Sequence, residues 1–288
     1  MIKFGPSGNS QSFFDAGLKH SEQSAAFVKE RGLDCFEYSF GRGVNMGDAK
    51  ALSIGAAFRA AGVEISVHAP YFINFAGENA EKSYEYILSS ARAARLMQGR
   101  RVVFHPASQG KMEREEAVSL TLERLRVLRD KIYEGGFGDM IFCPETMGKK
   151  RQIGTADEIV SFCRVDKVFT PCVDFGHLYA RSLGADEGEE ATERILDRIA
   201  SALGEDRASR FHSHFSKIAF TPNGGEKVHL TFDQKDFGPD PEPLMRALAR
   251  RGWSPTIICE SAGTQARDAL HMKELYEGFL KSKGDHTI

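Results

Sequence analysis

The chain has 288 residues, enough to bury a large core in one barrel or in two smaller domains. Hydrophobic residues make up 41% and charged residues 27%, an ordinary composition for a water-soluble protein, and 38 basic against 40 acidic residues leave a net charge of −2. No overall basic excess announces nucleic acid, so any polyanion must be met by local positive patches or by metal ions, and no apolar run approaches membrane-spanning length.

Taken in order, β-type apolar runs alternate with helix-period segments from end to end. Residues 2–5 form a strand that starts at once, so no signal peptide is expected. A helix over 21–31 stops at Gly32, a strand follows over 35–39, and an Ala-rich helix over 48–61 stops at Gly62. Then come a strand over 64–68, a long helix over 80–97, a strand over 101–105 and a helix over 113–133. A strand over 140–145, a helix over 156–163, a strand over 168–174 and a helix over 190–203 continue the alternation. The strand over 210–214 leads into an irregular segment with a hairpin (220–232) and a helix over 241–251. The strand over 256–260 and a helix over 267–281 close the series.

These are eight βα units at the spacing of roughly 30–40 residues expected of such units. They predict a single (β/α)8 TIM barrel spanning residues 1–280, with its site at the C-terminal ends of the strands and a frayed tail over 281–288. An open doubly wound sheet is disfavoured, because the first βα turn, Gly5 to Ser10, lacks GxGxxG and no GxxxxGK[ST] occurs. The five cysteines (Cys35, Cys143, Cys163, Cys172, Cys259) are odd in number and form no CxxC pair. Reduced core cysteines in a cytoplasmic protein are expected.

The strand ends carry the chemistry. His68, His105, Glu145, Asp174 with His177, His212 with His214, and Glu260 stand at successive ends, and His229 lies in the loop after the seventh strand. Each has a bland explanation by itself: a satisfied polar side chain, a helix cap, a partner for Arg. Together they would crowd imidazoles and carboxylates on one rim at a cost of several kcal/mol unless a counter-charge were present. Divalent ions remove that cost, and mixed imidazole and carboxylate ligands suit Zn²⁺, Mn²⁺ or Fe²⁺ better than Mg²⁺ or Ca²⁺. The donors exceed the needs of one ion, so more than one is expected, and a carboxylate such as Glu145 could bridge two of them. Glu145 and Glu260 are the expected catalytic carboxylates. Clustered ions of this kind serve in-line displacement at phosphorus, which makes phosphodiester hydrolysis the expected reaction.

The ordered set His68-Ala69-Pro70-Tyr71 with Asn74, Phe104-His105-Pro106, Pro144-Glu145, Asp174-Phe175-Gly176-His177, His212 with Lys217, and Glu260 resembles the endonuclease IV family of apurinic/apyrimidinic endonucleases. That family lies within the wider xylose-isomerase-like barrel superfamily. The resemblance implies three ions, usually zinc. His68, His105 and Glu145 would hold one. Glu145, Asp174, His212 and Glu260 would hold the second, and His177 with His229 the third. It implies double-stranded DNA with abasic sites as partner, cut 5′ to the lesion in base excision repair. Tyr71 matches a residue that enters the DNA, and Arg42 is a looser match for a similar wedge. A monomer is expected, and no protein partner is indicated.

The chain departs from the family twice. Lys227 stands where an Asp ligand two residues before His229 is expected, and Glu226 is its acidic neighbour at a different spacing. His214 is an extra imidazole, read as a hydrogen-bonded group behind the ligands. The run Gly148-Lys149-Lys150-Arg151 is the best local basic patch, able to meet phosphates or simply to form a solvated loop. The alternative function is a single-metal sugar isomerase or epimerase of the same superfamily, using Glu145, Asp174, His212 and Glu260.

Overall fold

A computed structural model of the chain describes residues 1–285. Eight short parallel strands form the barrel: β1 (Lys3–Pro6), β2 (Cys35–Ser39), β3 (Glu64–His68), β4 (Arg101–Phe104), β5 (Ile141–Pro144), β6 (Cys172–Asp174), β7 (His212–Phe215) and β8 (Thr256–Cys259). β1 pairs with β8, β8 with β7 and β7 with β6, while β2, β3, β4 and β5 pair in sequence order. Single parallel bridges close the ring: Ser7 to Glu37 joins the β1 and β2 sides, and Glu145 to Cys172 joins the β5 and β6 sides. The expected (β/α)8 barrel is therefore the fold.

Helices α1 (Gln23–Glu30), α2 (Asp48–Ala61), α3 (Ala80–Leu96), α4 (Arg114–Glu134), α5 (Ala156–Cys163), α6 (Gly188–Leu203), α7 (Glu242–Arg251) and α8 (Gln265–Asp285) follow the strands in turn. Their starts follow local chemistry. At α5, Thr155 Oγ1 accepts from Glu158 N–H while the Glu158 carboxylate accepts from Thr155 N–H, a reciprocal cap. The layer between sheet and helices holds fully buried Phe4, Phe58, Phe104, Phe142, Phe162, Phe169 and Trp253. Each such ring stabilises by about 1.5–3 kcal/mol on burial. All five cysteines are buried and free, and burial pushes the Cys143 thiol up to about 11 and that of Cys259 to about 12. Four pack in the core, and the fifth, Cys172, lies beside His212 and His214. Among the described residues, no helix is long and apolar enough to cross a membrane.

Three details differ from the sequence reading. β6 begins only at Cys172, because Pro171 lacks the N–H that a strand ladder needs. Asp174 does not end the strand in a loop. It caps a short helix, Phe175–Arg181, through Oδ1, which accepts from His177 N–H at 2.8 Å. Within that helix Gly176 permits a close approach, since a Cβ there would stand 2.4 Å from the Ser216 carbonyl oxygen. Finally, α8 continues through Asp285, past the point where the domain was expected to end, and the rest of the expected tail, 286–288, lies outside the described residues.

Two small antiparallel pairs decorate the C-terminal rim. Ala107–Ser108 pairs with Gln152–Ile153, and Lys217–Thr221 pairs with Gly225–Leu230. The second pair matters to the site.

Candidate metal centre

Glu145, immediately after β5, is the hub. One carboxylate oxygen, Oε2, lies 3.1 Å from His68 Nε2 and 3.3 Å from His105 Nε2. The other, Oε1, lies 3.2 Å from both His177 Nδ1 and His214 Nδ1. Its burial alone would favour the neutral acid. The surrounding imidazoles, His214 first and then His105 and His177, instead hold it well below the usual carboxylate range. Four different elements deliver these rings: the end of β3, the residue after β4, the short helix after β6, and β7.

Among the described residues the donors fall into four groups, Cys172, His212 and His214 on β6 and β7 and three more around Glu145, and within each the candidate ligand atoms lie within 4.8 Å of one another. His68, His105 and Glu145 form one. Glu145, Asp174, His214 and Glu260 form the second. His177, Glu226 and His229 form the third. Their chemistry fits divalent cations. Asp174 is fully buried, and its Oδ2 accepts no hydrogen bond although His177 Nδ1 is 3.3 Å away. Burial raises the Asp174 pKa, and the Glu260 and Glu145 charges add to that against the pull of His177. Three carboxylates so placed repel one another, and a dication between them removes the repulsion.

Two of the expected ligand assignments change. His212 and His214 alternate on β7 and both face the barrel interior, but they sit at different depths. His214 is the one that converges with Glu145, Asp174 and Glu260, its Nδ1 lying 3.6 Å from Glu260 Oε1. His212 lies lower, grouped with Cys172 and His214, and neither of its ring nitrogens makes a hydrogen bond. Its Nε2 is 3.0 Å from Glu37 Oε2, yet burial pushes its pKa down to about 4. The geometry thus sets His214 with Glu145, Asp174 and Glu260, where the resemblance puts His212, and leaves His212 deeper, with Cys172 and His214.

The second change concerns the missing Asp at Lys227. The hairpin register runs Ala219 to Val228 and then Phe220 to Glu226, so the strand bulges at Lys227. One extra residue brings Glu226 and His229 to the same side, whereas residues three apart on a regular strand face opposite ways. Glu226 Oε2 then stands 3.5 Å from His177 Nε2, and Glu226 Oε1 3.9 Å from His229 Nε2, while Lys227 points outward and is exposed. Gly148 makes room for this: a Cβ there would stand 2.7 Å from the Glu226 Cβ and 3.0 Å from His177 Cδ2.

A cavity of about 310 Å³ opens above the hub, lined by His68, Tyr71, His105, Glu145, Lys149, His177, Glu226, His229 and Glu260 among others. Tyr71 is exposed at its mouth, stacked on His105 with ring centroids 5.7 Å apart and its hydroxyl 3.2 Å from Ser39 Oγ. Exposed Phe72 is its neighbour. Arg42 is exposed on a turn whose Gly41 carbonyl accepts from Tyr71 N–H at 3.0 Å. Two other expected site residues are spent elsewhere. The Asn74 side chain organises its own loop, accepting from the N–H groups of Ala76 and Ser108. Lys217 is buried and donates to the Gln234 carbonyl, with Asp240 at 3.3 Å. In the basic run, Lys150 donates to the Pro222 carbonyl and Arg151 to that of Gly110, leaving Lys149 exposed at the cavity.

Beyond Glu226, the sequence reading left out Glu37, which is fully buried on β2. Its signal was a lone carboxylate within the apolar strand Cys35-Phe36-Glu37-Tyr38.

Comparison with known proteins places this geometry in context. The family model described as "Xylose isomerase-like TIM barrel" matches residues 25–281. An uncharacterised protein of Methanocaldococcus jannaschii is 30% identical over 250 residues, covering 85% of this chain and 88% of that protein. A protein named probable endonuclease 4, from Streptomyces avermitilis, is 29% identical over 245 residues, covering 77% of this chain and 74% of its own length. Among solved structures, a D-tagatose 3-epimerase-like protein superposes with a TM-score of 0.72 at 19% identity over 100% of both chains, a likeness of fold.

Proposed function

The chain belongs to the xylose isomerase-like TIM barrel family, and within it we propose that it is a metal-dependent phosphodiesterase, cutting the backbone of duplex DNA 5′ to an abasic site. The carrying observation is the third donor group, His177, Glu226 and His229, set beside the two groups that share Glu145. A single-ion isomerase has work for Glu145, Asp174, His214 and Glu260 only. It leaves His68, His105, His177, Glu226 and His229 without a task. The similarity to a protein named probable endonuclease 4 supports the same choice.

On this reading His68, His105 and Glu145 would hold one ion, Glu145, Asp174, His214 and Glu260 a second, and His177, Glu226 and His229 a third, zinc being the expected metal. When bound, such ions lower the pKa of water and stabilise charge on a phosphate during in-line displacement. The protein's own groups do the rest. Glu145 keeps its charge between four imidazoles and so fixes the spacing of the two groups it joins. Glu260 faces both the cavity and His214, and completes the ring of acids about the phosphate position. Lys149 offers a cation to a phosphate at the cavity edge. Tyr71, exposed and stacked on His105, offers a flat face where a base pair is missing.

A duplex carrying one tetrahydrofuran abasic analogue tests the reading. With Zn²⁺ or Mn²⁺ supplied, cleavage on the 5′ side of the analogue is expected. An intact duplex under both metals, with epimerisation of a ketose sugar by the same preparation, would transfer the protein to the single-metal reading.

A further inference from the structure

Glu37 sits in the middle of the buried strand β2, with no exposure, and does not line the cavity. Placing an ionised carboxylate there costs several kcal/mol unless partners meet it. Three do. Ser66 Oγ–H on β3 donates to Oε2 at 2.8 Å. His214 Nε2 is hydrogen-bonded to Oε1 at 2.7 Å, and His212 Nε2 stands 3.0 Å from Oε2 but out of hydrogen-bonding line. The carboxylate is thus aligned on one of the two imidazoles.

That imidazole is the one whose other nitrogen matters. His214 Nδ1 faces Glu145 Oε1 at 3.2 Å and Glu260 Oε1 at 3.6 Å, among the donors of the central group. A neutral imidazole carries one proton on its two nitrogens, and only the bare nitrogen can hold a metal ion. A carboxylate bonded to Nε2 keeps the proton there and leaves the Nδ1 lone pair toward the donors. It also fixes the plane of the ring and raises the basicity of the bare nitrogen.

We propose that Glu37 is a positioning residue that fixes the tautomer and orientation of His214, so that Nδ1 serves as ligand to the central ion. This rests on the metal-centre reading above. It does not require His212 to bind metal. His212 packs beside the same carboxylate, with no carboxylate oxygen paired to its Nδ1. The bland alternative is that Glu37 is a buried ion pair that only ties β2, β3 and β7 together.

Glu37→Gln separates the two. It keeps the volume but replaces an acceptor by a group that is half donor, which permits the wrong tautomer of His214. Wild-type and variant proteins would be purified without chelator, and their zinc content and zinc affinity measured by elemental analysis and chelator competition. Melting of both proteins after full chelation is the second readout. The expected result is that one ion equivalent of the variant binds about 10–100-fold more weakly, with the remaining ions unaffected. The two chelated proteins should melt within a few degrees of each other. Unchanged zinc affinity, with a lowered melting temperature for the chelated variant, would overturn the proposal and leave Glu37 as a core ion pair. Should Glu37→Gln not fold, Glu37→Asp carries the same test, since it retains the charge but withdraws it from His214 by one methylene. Wild-type protein that takes up no zinc would defeat the metal-centre reading instead, so the two failures are distinguishable.

Discussion

Replacement of Glu145 by Gln is expected to lower phosphodiester cleavage by on the order of 10²–10³-fold, the loss typical of removing one preorganised electrostatic group from a dry site. The substitution is nearly isosteric, so the fold should survive. What goes is the negative charge around which four imidazoles are arranged, His68 and His105 on one oxygen, His177 and His214 on the other. Without it, two donor groups lose their common member. On the proposed reading the effect should appear in kcat more than in KM, because a duplex would meet Tyr71 and Lys149 at the rim, which the substitution does not touch. Steady-state cleavage of the abasic duplex, with circular dichroism as the check on folding, measures it. Wild-type turnover in a folded variant would move the chemistry away from this centre.

The second large effect is on stability. Stripping the protein of metal with a strong chelator is expected to lower its melting temperature by about 5 °C for each ion removed. An ion present at a hundredfold excess over its Kd stabilises the folded chain by about 2.7 kcal/mol, and each kcal/mol moves Tm by roughly 2 °C in a chain of this size. The structural reason lies at Asp174, Glu145 and Glu260. These acids are grouped closely enough to share one ion, and Asp174 Oδ2 is buried without a hydrogen bond. Chelation leaves their charges to repel one another or to take up protons. Scanning calorimetry with chelator, then with zinc restored in slight excess, measures the shift and its reversal. A chelated protein that melts with the untreated one would mean that the acids are satisfied without metal.

Much of this centre was legible in the sequence because barrel strands deliver side chains at predictable places. A His or an acid at the end of an apolar run faces the C-terminal rim wherever the run is a barrel strand. His68, His105, Glu145 and Glu260 are such residues and line one cavity, and Asp174 is another, grouped with Glu145 and Glu260. Only the family resemblance puts His212 ahead of His214, and the structure instead groups His214 with Glu145, Asp174 and Glu260. Alternation puts both on the inward face of β7, and only the stagger of strands around the closed barrel decides which is level with Glu145. The sequence could not place Glu226, because the bulge at Lys227 is set by pairing with residues 217–221 rather than by the strand's own pattern. The lone acid in β2 was visible but had no stated partner until β2, β3 and β7 were assembled around it. His177 follows Asp174 by three residues. The Asp-x-x-His spacing is that of a helix cap and its third residue, and the structure takes that form.

The most direct measurement of the central claim is a count of ions. Elemental analysis of protein purified without chelator is expected to return three divalent ions per chain, zinc foremost, and two for Glu226→Gln. One ion per chain in the wild-type protein would contradict the account, since that number needs only Glu145, Asp174, His214 and Glu260 and belongs to an isomerase.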